Sequence, residues 1–207
     1  MKWKDKLKLY VITDSRFIDE VKGAKLALEG GATTIQLRMK NASTRRMIDV
    51  GIKIKKLTEE YNALFIVNDR VDVALATKAD GVHLGQEDMP VDLAREIVGD
   101  MLIGVSASNL TEAIEAEKAG ADYIGAGSVF PTSTKEDAKF LGIDALRRVV
   151  EEVNIPVVAI GGINFENIKL VLEAKVNGVA VISAIMGAED IREAARKMRR
   201  IVDEYIS

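Results

Sequence analysis

The sequence contains no cysteine. That excludes a disulfide framework, a thiolate metal site and a cysteine nucleophile together. Histidine is almost as scarce, with His83 the single example, set between Val82 and Leu84 in an apolar run. A lone histidine there reads as a hydrogen-bonded core residue before it reads as a catalyst, so it is not assigned as acid or base. No apolar run approaches the ~18 residues that span a bilayer. The basic start, residues 2–8, is not followed by an apolar segment of signal-peptide length. Net charge is only −3, and no Lys/Arg block is long enough to suggest nucleic-acid binding. Glutamine occurs only at Gln36 and Gln86 against abundant Lys and Glu, a bias compatible with a thermophilic source. These absences point to a cytoplasmic enzyme or binding protein with neither nucleic acid nor membrane as partner. Whether it forms a homo-oligomer is left open.

What is present is an ordinary globular composition, 48% hydrophobic and 29% charged over 207 residues, enough for one good core. Short apolar runs at 9–13, 33–37, 64–67, 81–84, 102–105, 123–125, 157–160 and 179–182 predict strands. Between them, helical patterns occupy 18–28, 47–60, 91–98, 111–118, 143–153, 165–174 and 190–205. Near-continuous apolar strands alternating with amphipathic helices indicate a parallel sheet covered by helices. Eight such strands, with helical stretches between them in this length, predict a minimal (β/α)8 TIM barrel as a single domain, 1–207, with residues 1–8 a short N-terminal extension. A doubly wound sheet would want a Gly-x-Gly-x-x-Gly turn after the first strand, and Thr13-Asp14-Ser15-Arg16 is not one. An internal echo supports the barrel: Gly30-Gly31-Ala32, Asp80-Gly81-Val82, Gly120-Ala121-Asp122 and Asn177-Gly178-Val179 each precede an even-numbered strand, and each is expected to cap a helix in the left-handed region.

In such barrels chemistry collects where strands end. Gln36, Arg38 and Lys40 alternate with Leu37 and Met39, so on extended backbone an amide, a guanidinium and an ammonium share one side. Gln36, inside an apolar strand, needs a buried partner or a ligand. Asn68 and Asp69 follow strand 3, and Asp88 lies in the turn after strand 4. Two hard carboxylates on neighbouring strands suit Mg²⁺, which takes one or two carboxylates and completes its shell with phosphate and water. The alternatives are an N-cap role for Asp69, worth about 1 kcal/mol, and a turn role for Asp88 before Pro90. Ser106 ends strand 5, Gly161-Gly162 follow strand 7, and Ile182-Ser183 follow strand 8, the two loops where barrels commonly hold phosphate. After strand 6 comes Gly-Ser-Val-Phe-Pro-Thr-Ser-Thr-Lys, residues 127–135, in which Thr132, Ser133 and Thr134 offer hydroxyls and Lys135 a point charge for phosphate. Its alternative is a solvated loop. Two anion sites and a carboxylate pair suggest two phosphorylated ligands, one a diphosphate whose departure Mg²⁺ and lysine would assist.

Seven blocks in order resemble the thiamine-phosphate synthase family. They are Gln-Leu-Arg-Met-Lys at 36–40, Asn-Asp-Arg-Val-Asp at 68–72, Asp-Gly-Val-His-Leu-Gly-Gln-Glu-Asp at 80–88, Gly-Val-Ser at 104–106, Val-Phe-Pro-Thr-Ser-Thr-Lys at 129–135, Ala-Ile-Gly-Gly-Ile at 159–163 and Val-Ile-Ser-Ala-Ile at 181–185. The resemblance implies transfer of a hydroxymethylpyrimidine group from its diphosphate to a thiazole phosphate, by a dissociative route that needs no protein nucleophile. It implies that Gln36, Leu37, Arg38, Met39, Lys40, Asn68, Ser106 and Lys135 form the pyrimidine diphosphate site, with Lys135, Arg38 and Ser106 catalytic. Asp69 and Asp88 would hold Mg²⁺, and Thr132, Ser133, Thr134, Gly162, Ile182 and Ser183 would bind the thiazole phosphate. One departure is Ser128, where relatives often carry proline. The related thiazole tautomerase would want a histidine just after Gly104-Val105-Ser106, and the next residues are Ala107, Ser108 and Asn109. A non-catalytic phosphate-binding barrel, or an isomerase of another sugar phosphate, is the remaining rival.

Overall fold

The computed structural model describes residues 3–132 and 140–206. Eight strands form the wall: β1 (Leu9–Ile12), β2 (Thr34–Leu37), β3 (Leu64–Asn68), β4 (Gly81–Leu84), β5 (Leu102–Ala107), β6 (Tyr123–Ala126), β7 (Val157–Ile160) and β8 (Gly178–Val181). They pair in parallel in chain order, and β8 returns to β1 to close a TIM barrel. The covering helices are α1 (Glu20–Glu29), α2 (Thr44–Glu60), α3 (Val71–Ala76), α4 (Val91–Val98), α5 (Leu110–Lys118), α6 (Ile143–Glu152), α7 (Ile168–Leu172), α8 (Ser183–Met186) and α9 (Ile191–Tyr205). α8, at four residues, is too short to show a periodic pattern, and neither it nor α3 lies among the expected helices.

Alternation along each strand splits the apolar residues into two layers. Leu9 and Val11, Ile35 and Leu37, Phe65 and Val67, and Val179 and Val181 face the helices in one continuous core. Tyr10, Ile12, Leu64, Ile66, Tyr123, Val158 and Ala180 face inward with Leu7. Each fully buried aliphatic side chain contributes roughly 1.5–3 kcal/mol by leaving water. The segment ahead of β1, expected as a short extension, holds a 3-10 turn (Trp3–Leu7) whose last residue, Leu7, is fully buried in the inner cluster. A side chain on Gly178 would run into the Leu7 carbonyl, so the start of β8 needs glycine for this close approach.

The fourfold echo has a different cause from the one expected. Only Gly31 (φ 100°) and Gly120 (φ 96°) are left-handed; Gly81 and Gly178 are strand residues. At the matching helix ends Lys78 (φ 52°) and Lys175 (φ 60°) take that conformation. What repeats is a side-chain acceptor ahead of each even strand that bonds a backbone N–H at the start of the odd strand before it. Thr33 Oγ1 accepts from Leu9 N at 2.9 Å, and Asp80 Oδ2 from Phe65 N at 2.8 Å. Asp122 Oδ2 accepts from Ile103 N and Asn177 Oδ1 from Val157 N, both at 2.8 Å. The echo therefore locks strand pairs together at the N-terminal end of the barrel and leaves the opposite rim to carry chemistry.

Candidate active site

At the C-terminal end of the strands opens a cavity of about 650 Å³, a volume that suits small-molecule ligands. Inward alternation delivers its polar wall. Gln36, Arg38 and Lys40 all line it, although β2 ends at Leu37 and the latter two stand on the loop beyond the strand, Lys40 in its turn. So do Asn68 at the end of β3 and Asp69 after it, Asp88 after β4, Ser106 on β5, Thr132 after β6, Gly162 after β7, and Ile182 and Ser183 after β8. Leu37 does not; it is fully buried in the layer facing the helices. Met39 lines a smaller side pocket of about 310 Å³, shared with Lys40, Asn68, Asp69 and Arg70. Ser133, Thr134 and Lys135 lie outside the described residues.

Arg38 is mostly buried, its Nη1 4.0 Å from Asp14 Oδ2, and its backbone N donates to Thr13 Oγ1 at 3.2 Å. Asp14 is itself buried and accepts from Arg16 through Nε at 3.0 Å, Nη2 at 2.6 Å and the backbone N at 3.0 Å. Burial alone would raise the Asp14 carboxyl, but the Arg16 hydrogen bonds outweigh it and hold the group below the usual carboxylate range. The carboxylate thus stays ionised beside Arg38.

Asp69 does not cap the next helix: Arg70 occupies the N-cap of α3, with no side-chain cap bond. Asp69 has a left-handed backbone (φ 63°), and its N–H donates to the His83 carbonyl at 2.8 Å. The turn role expected as the alternative for Asp88 is realised, since Oδ2 accepts from Gly85 N at 2.7 Å. Oδ1 takes no bond among the described residues, so the same carboxylate can close the turn and face a ligand. No group of three or more His, Asp or Glu residues suited to a metal occurs among the described residues. Asp69 and Asp88, which line the cavity together with Glu87 and Glu112, are carboxylates that could hold a cation with ligand oxygens and water completing its shell.

The rim after β6 and β7 is built by interlocking backbones. Val129 N and Phe130 N donate to the carbonyls of Ile160 and Gly161 at 2.9 and 3.0 Å. Gly161 (φ 100°) and Gly162 (φ 65°) are left-handed, and a side chain on either would collide with Ser128 or with Phe130 and Pro131. The glycine pair is therefore required by this contact. Ser183 opens α8, a single turn in which the Ile185 and Met186 N–H groups donate to the Ile182 carbonyl at 3.2 and 2.8 Å.

Beneath the rim runs a chain that the sequence did not reveal. Gln36 Nε2 donates to Tyr10 Oη at 2.7 Å, and Tyr10 Oη lies 2.9 Å from Tyr123 Oη. Tyr123 Oη lies 3.1 Å from His83 Nδ1, and His83 Nε2 lies 3.0 Å from Ser106 Oγ. Gln36 has its buried partner, and His83 is the hydrogen-bonded wall residue its setting suggested. Burial drives both phenols well above the ordinary tyrosine value, so they remain neutral donors. The available signal was faint: two tyrosines at inward positions of apolar strands, each needing a partner for its hydroxyl.

A family model described as thiamine monophosphate synthase matches residues 9–185. The chain is 60% identical over 206 residues to a thiamine-phosphate synthase of Pyrococcus abyssi, covering 100% of both chains. It is 56% identical to a thiamine-phosphate synthase of Methanococcus maripaludis, again over 100% of both. Its structure matches that of a thiamine phosphate pyrophosphorylase from Pyrococcus furiosus with a TM-score of 0.96 at 58% identity, over 100% of each chain.

Proposed function

Because this chain belongs to the thiamine monophosphate synthase family, and is accordingly a transferase that makes thiamine phosphate, we propose that it does so by a Mg²⁺-dependent dissociative transfer in the cavity at the C-terminal rim. The observation that carries this reading is the convergence of Gln36, Arg38, Lys40, Asn68 and Ser106 with Asp69 and Asp88 on one wall. Arg38 and Lys40 match the charge of a diphosphate, and Arg38 can fork onto it. Asp69 and Asp88 would hold the cation, which when bound neutralises charge on the departing diphosphate. Gly162, Ile182 and Ser183, with Thr132 across the rim, suit the phosphate of the second substrate.

In this reading the bond between the pyrimidine methylene and the diphosphate oxygen breaks first, and both electrons leave with the oxygen. The electron-rich aminopyrimidine carries the resulting cation until the thiazole nitrogen donates its lone pair to the methylene. No protein nucleophile is required. Such a cation must be kept from water, and the cavity wall includes the apolar side chains of Ile12, Val158, Ile160 and Ile182. Gln36, Asn68 and Ser106 orient the ring, while Arg38 stays fixed against Asp14.

The test incubates the purified chain with hydroxymethylpyrimidine diphosphate, thiazole phosphate and Mg²⁺, and follows thiamine phosphate by mass. Product that depends on both substrates and is abolished by chelation is expected. Full turnover under chelation would remove the metal from the scheme.

A further inference from the structure

We propose that Tyr10 and Tyr123 are positioning residues: through a hydrogen-bond chain whose direction starts at Gln36, they hold His83 as its Nε2–H tautomer and turn the Ser106 hydroxyl proton toward the ligand. The part concerning the ligand rests on the proposed pyrimidine site; the chain and its direction do not.

The direction follows from counting donors. The Gln36 amide nitrogen can only donate, and it does so to Tyr10 Oη at 2.7 Å. Tyr10 is buried, and its other partner is Tyr123 Oη at 2.9 Å. A buried hydroxyl proton without an acceptor is costly, so Tyr10 gives its proton to Tyr123. Tyr123 has then filled its acceptor role and gives its own proton onward to His83 Nδ1, 3.1 Å away. A nitrogen that accepts is unprotonated, so neutral His83 carries its proton on Nε2 and donates it to Ser106 Oγ at 3.0 Å. Ser106 lines the cavity and accepts from the wall, which leaves its own proton for an acceptor atom of a ligand.

Packing holds the chain in place. A side chain on Gly104 would overlap the Tyr123 ring, and one on Gly125 would come within 2.9 Å of His83 Cε1. In the strand register Gly104 is paired with both His83 and Tyr123, so the missing side chain leaves the slot in which their rings approach, with centroids 5.6 Å apart. Both phenols stay protonated in this buried setting, as the direction requires.

The experiment uses the single histidine. ¹⁵N NMR of the ligand-free full chain at pH of about 8.5, where imidazole is neutral, reads which ring nitrogen of His83 is protonated, with no assignment ambiguity. Wild type is expected to show the proton on Nε2. Tyr123→Phe removes the donor to Nδ1 and is expected to give a mixture of tautomers. Tyr10→Phe frees the Tyr123 hydroxyl to donate or accept and is expected to do the same to a smaller degree, which keeps the test open should Tyr123→Phe not fold. A proton on Nδ1 in wild type, or an unchanged tautomer in whichever variants fold, overturns the proposal. Kinetics then test the ligand half: kcat/KM for the pyrimidine diphosphate should fall about tenfold in the tautomer-mixed variant, with KM for the thiazole phosphate unchanged. A shifted tautomer with wild-type kcat/KM overturns that half. A chain inactive for reasons of the proposed reaction would still give the NMR result, so the two failures are separable.

Discussion

Tyr123 lies across Gly104, in the space that any side chain at position 104 would fill. The relationship joins fold to chemistry, because the same ring carries a hydroxyl within hydrogen-bond distance of both Tyr10 and His83. Gly104→Ala should force the ring out of its slot in a packed interior and cost roughly 1–3 kcal/mol. Urea unfolding would measure the loss, and the pyrimidine KM should rise in the same variant. Wild-type values for both would mean that the ring has room to move.

Asp69 and Asp88 can be tested without disturbing their backbones. Asparagine tolerates the left-handed conformation at position 69. At position 88 an asparagine carbonyl can still accept the Gly85 N–H that Oδ2 now takes. Asp69→Asn and Asp88→Asn should therefore unfold at the wild-type urea midpoint and yet need at least about tenfold more Mg²⁺ for half-maximal rate, as expected when a hard anionic ligand is lost. Unchanged Mg²⁺ titrations would return Asp88 to a turn role alone.

Asp122 tests the opposite end of the barrel. Its Oδ2 accepts from Ile103 N at 2.8 Å and from Arg95 Nη2 at 2.6 Å. Asp122→Ala leaves the Ile103 N–H without its acceptor, while the guanidinium keeps the carbonyls of Gly99, Met101 and Gly120, and should lower stability by about 1–3 kcal/mol. Because the contact is at the N-terminal ends of the strands, kcat should not change. A fall in kcat at a temperature well below unfolding would show that the floor of the barrel reaches the rim.

The Asp14 carboxyl sits below its ordinary value because the Arg16 hydrogen bonds overcome the effect of burial. A carboxyl depressed in the folded state stabilises the fold above the unfolded value of about 3.9. That stabilisation fades as pH falls through the lower native value. Wild type should thus lose stability below about pH 4 more steeply than Asp14→Asn. At pH 7 the variant should be less stable by about 1–2 kcal/mol, a modest figure because Arg16 is half exposed. Chemical denaturation across that pH range checks both, and parallel curves would count against the assignment. The variant should also bind the diphosphate substrate less well, since Arg38 loses its nearby carboxylate.

The barrel was legible from the chain because both of its periods are local. Strand alternation and helix amphipathy are properties of neighbouring residues, and they located all eight strands to within a residue or two. The charged rim was legible in part: Gln36, Arg38 and Lys40 all line the cavity as their spacing suggested, although β2 ends at Leu37 and Lys40 lies in the turn beyond it. The same rule places Leu37 in the outer core, where it lies, although the block resemblance had grouped it with the substrate site. The four-residue α8 escaped, being too brief to show a period.

What the sequence alone determined, then, is which residues face inward and which end of each strand carries polar groups. Tertiary structure decided who meets whom. Tyr10 and Tyr123 are 113 residues apart, and nothing local distinguishes either from a tyrosine filling a core. Only closure of the sheet, with β1 and β6 delivering their inward side chains into one narrow interior, brings the hydroxyls to 2.9 Å. The four repeated acceptors divide in the same way: Asp80, Asp122 and Asn177 stand within the echo and Thr33 just after it, but their partners lie on the preceding strand. A hydrogen bond between strands needs register, and register exists only once the barrel has closed.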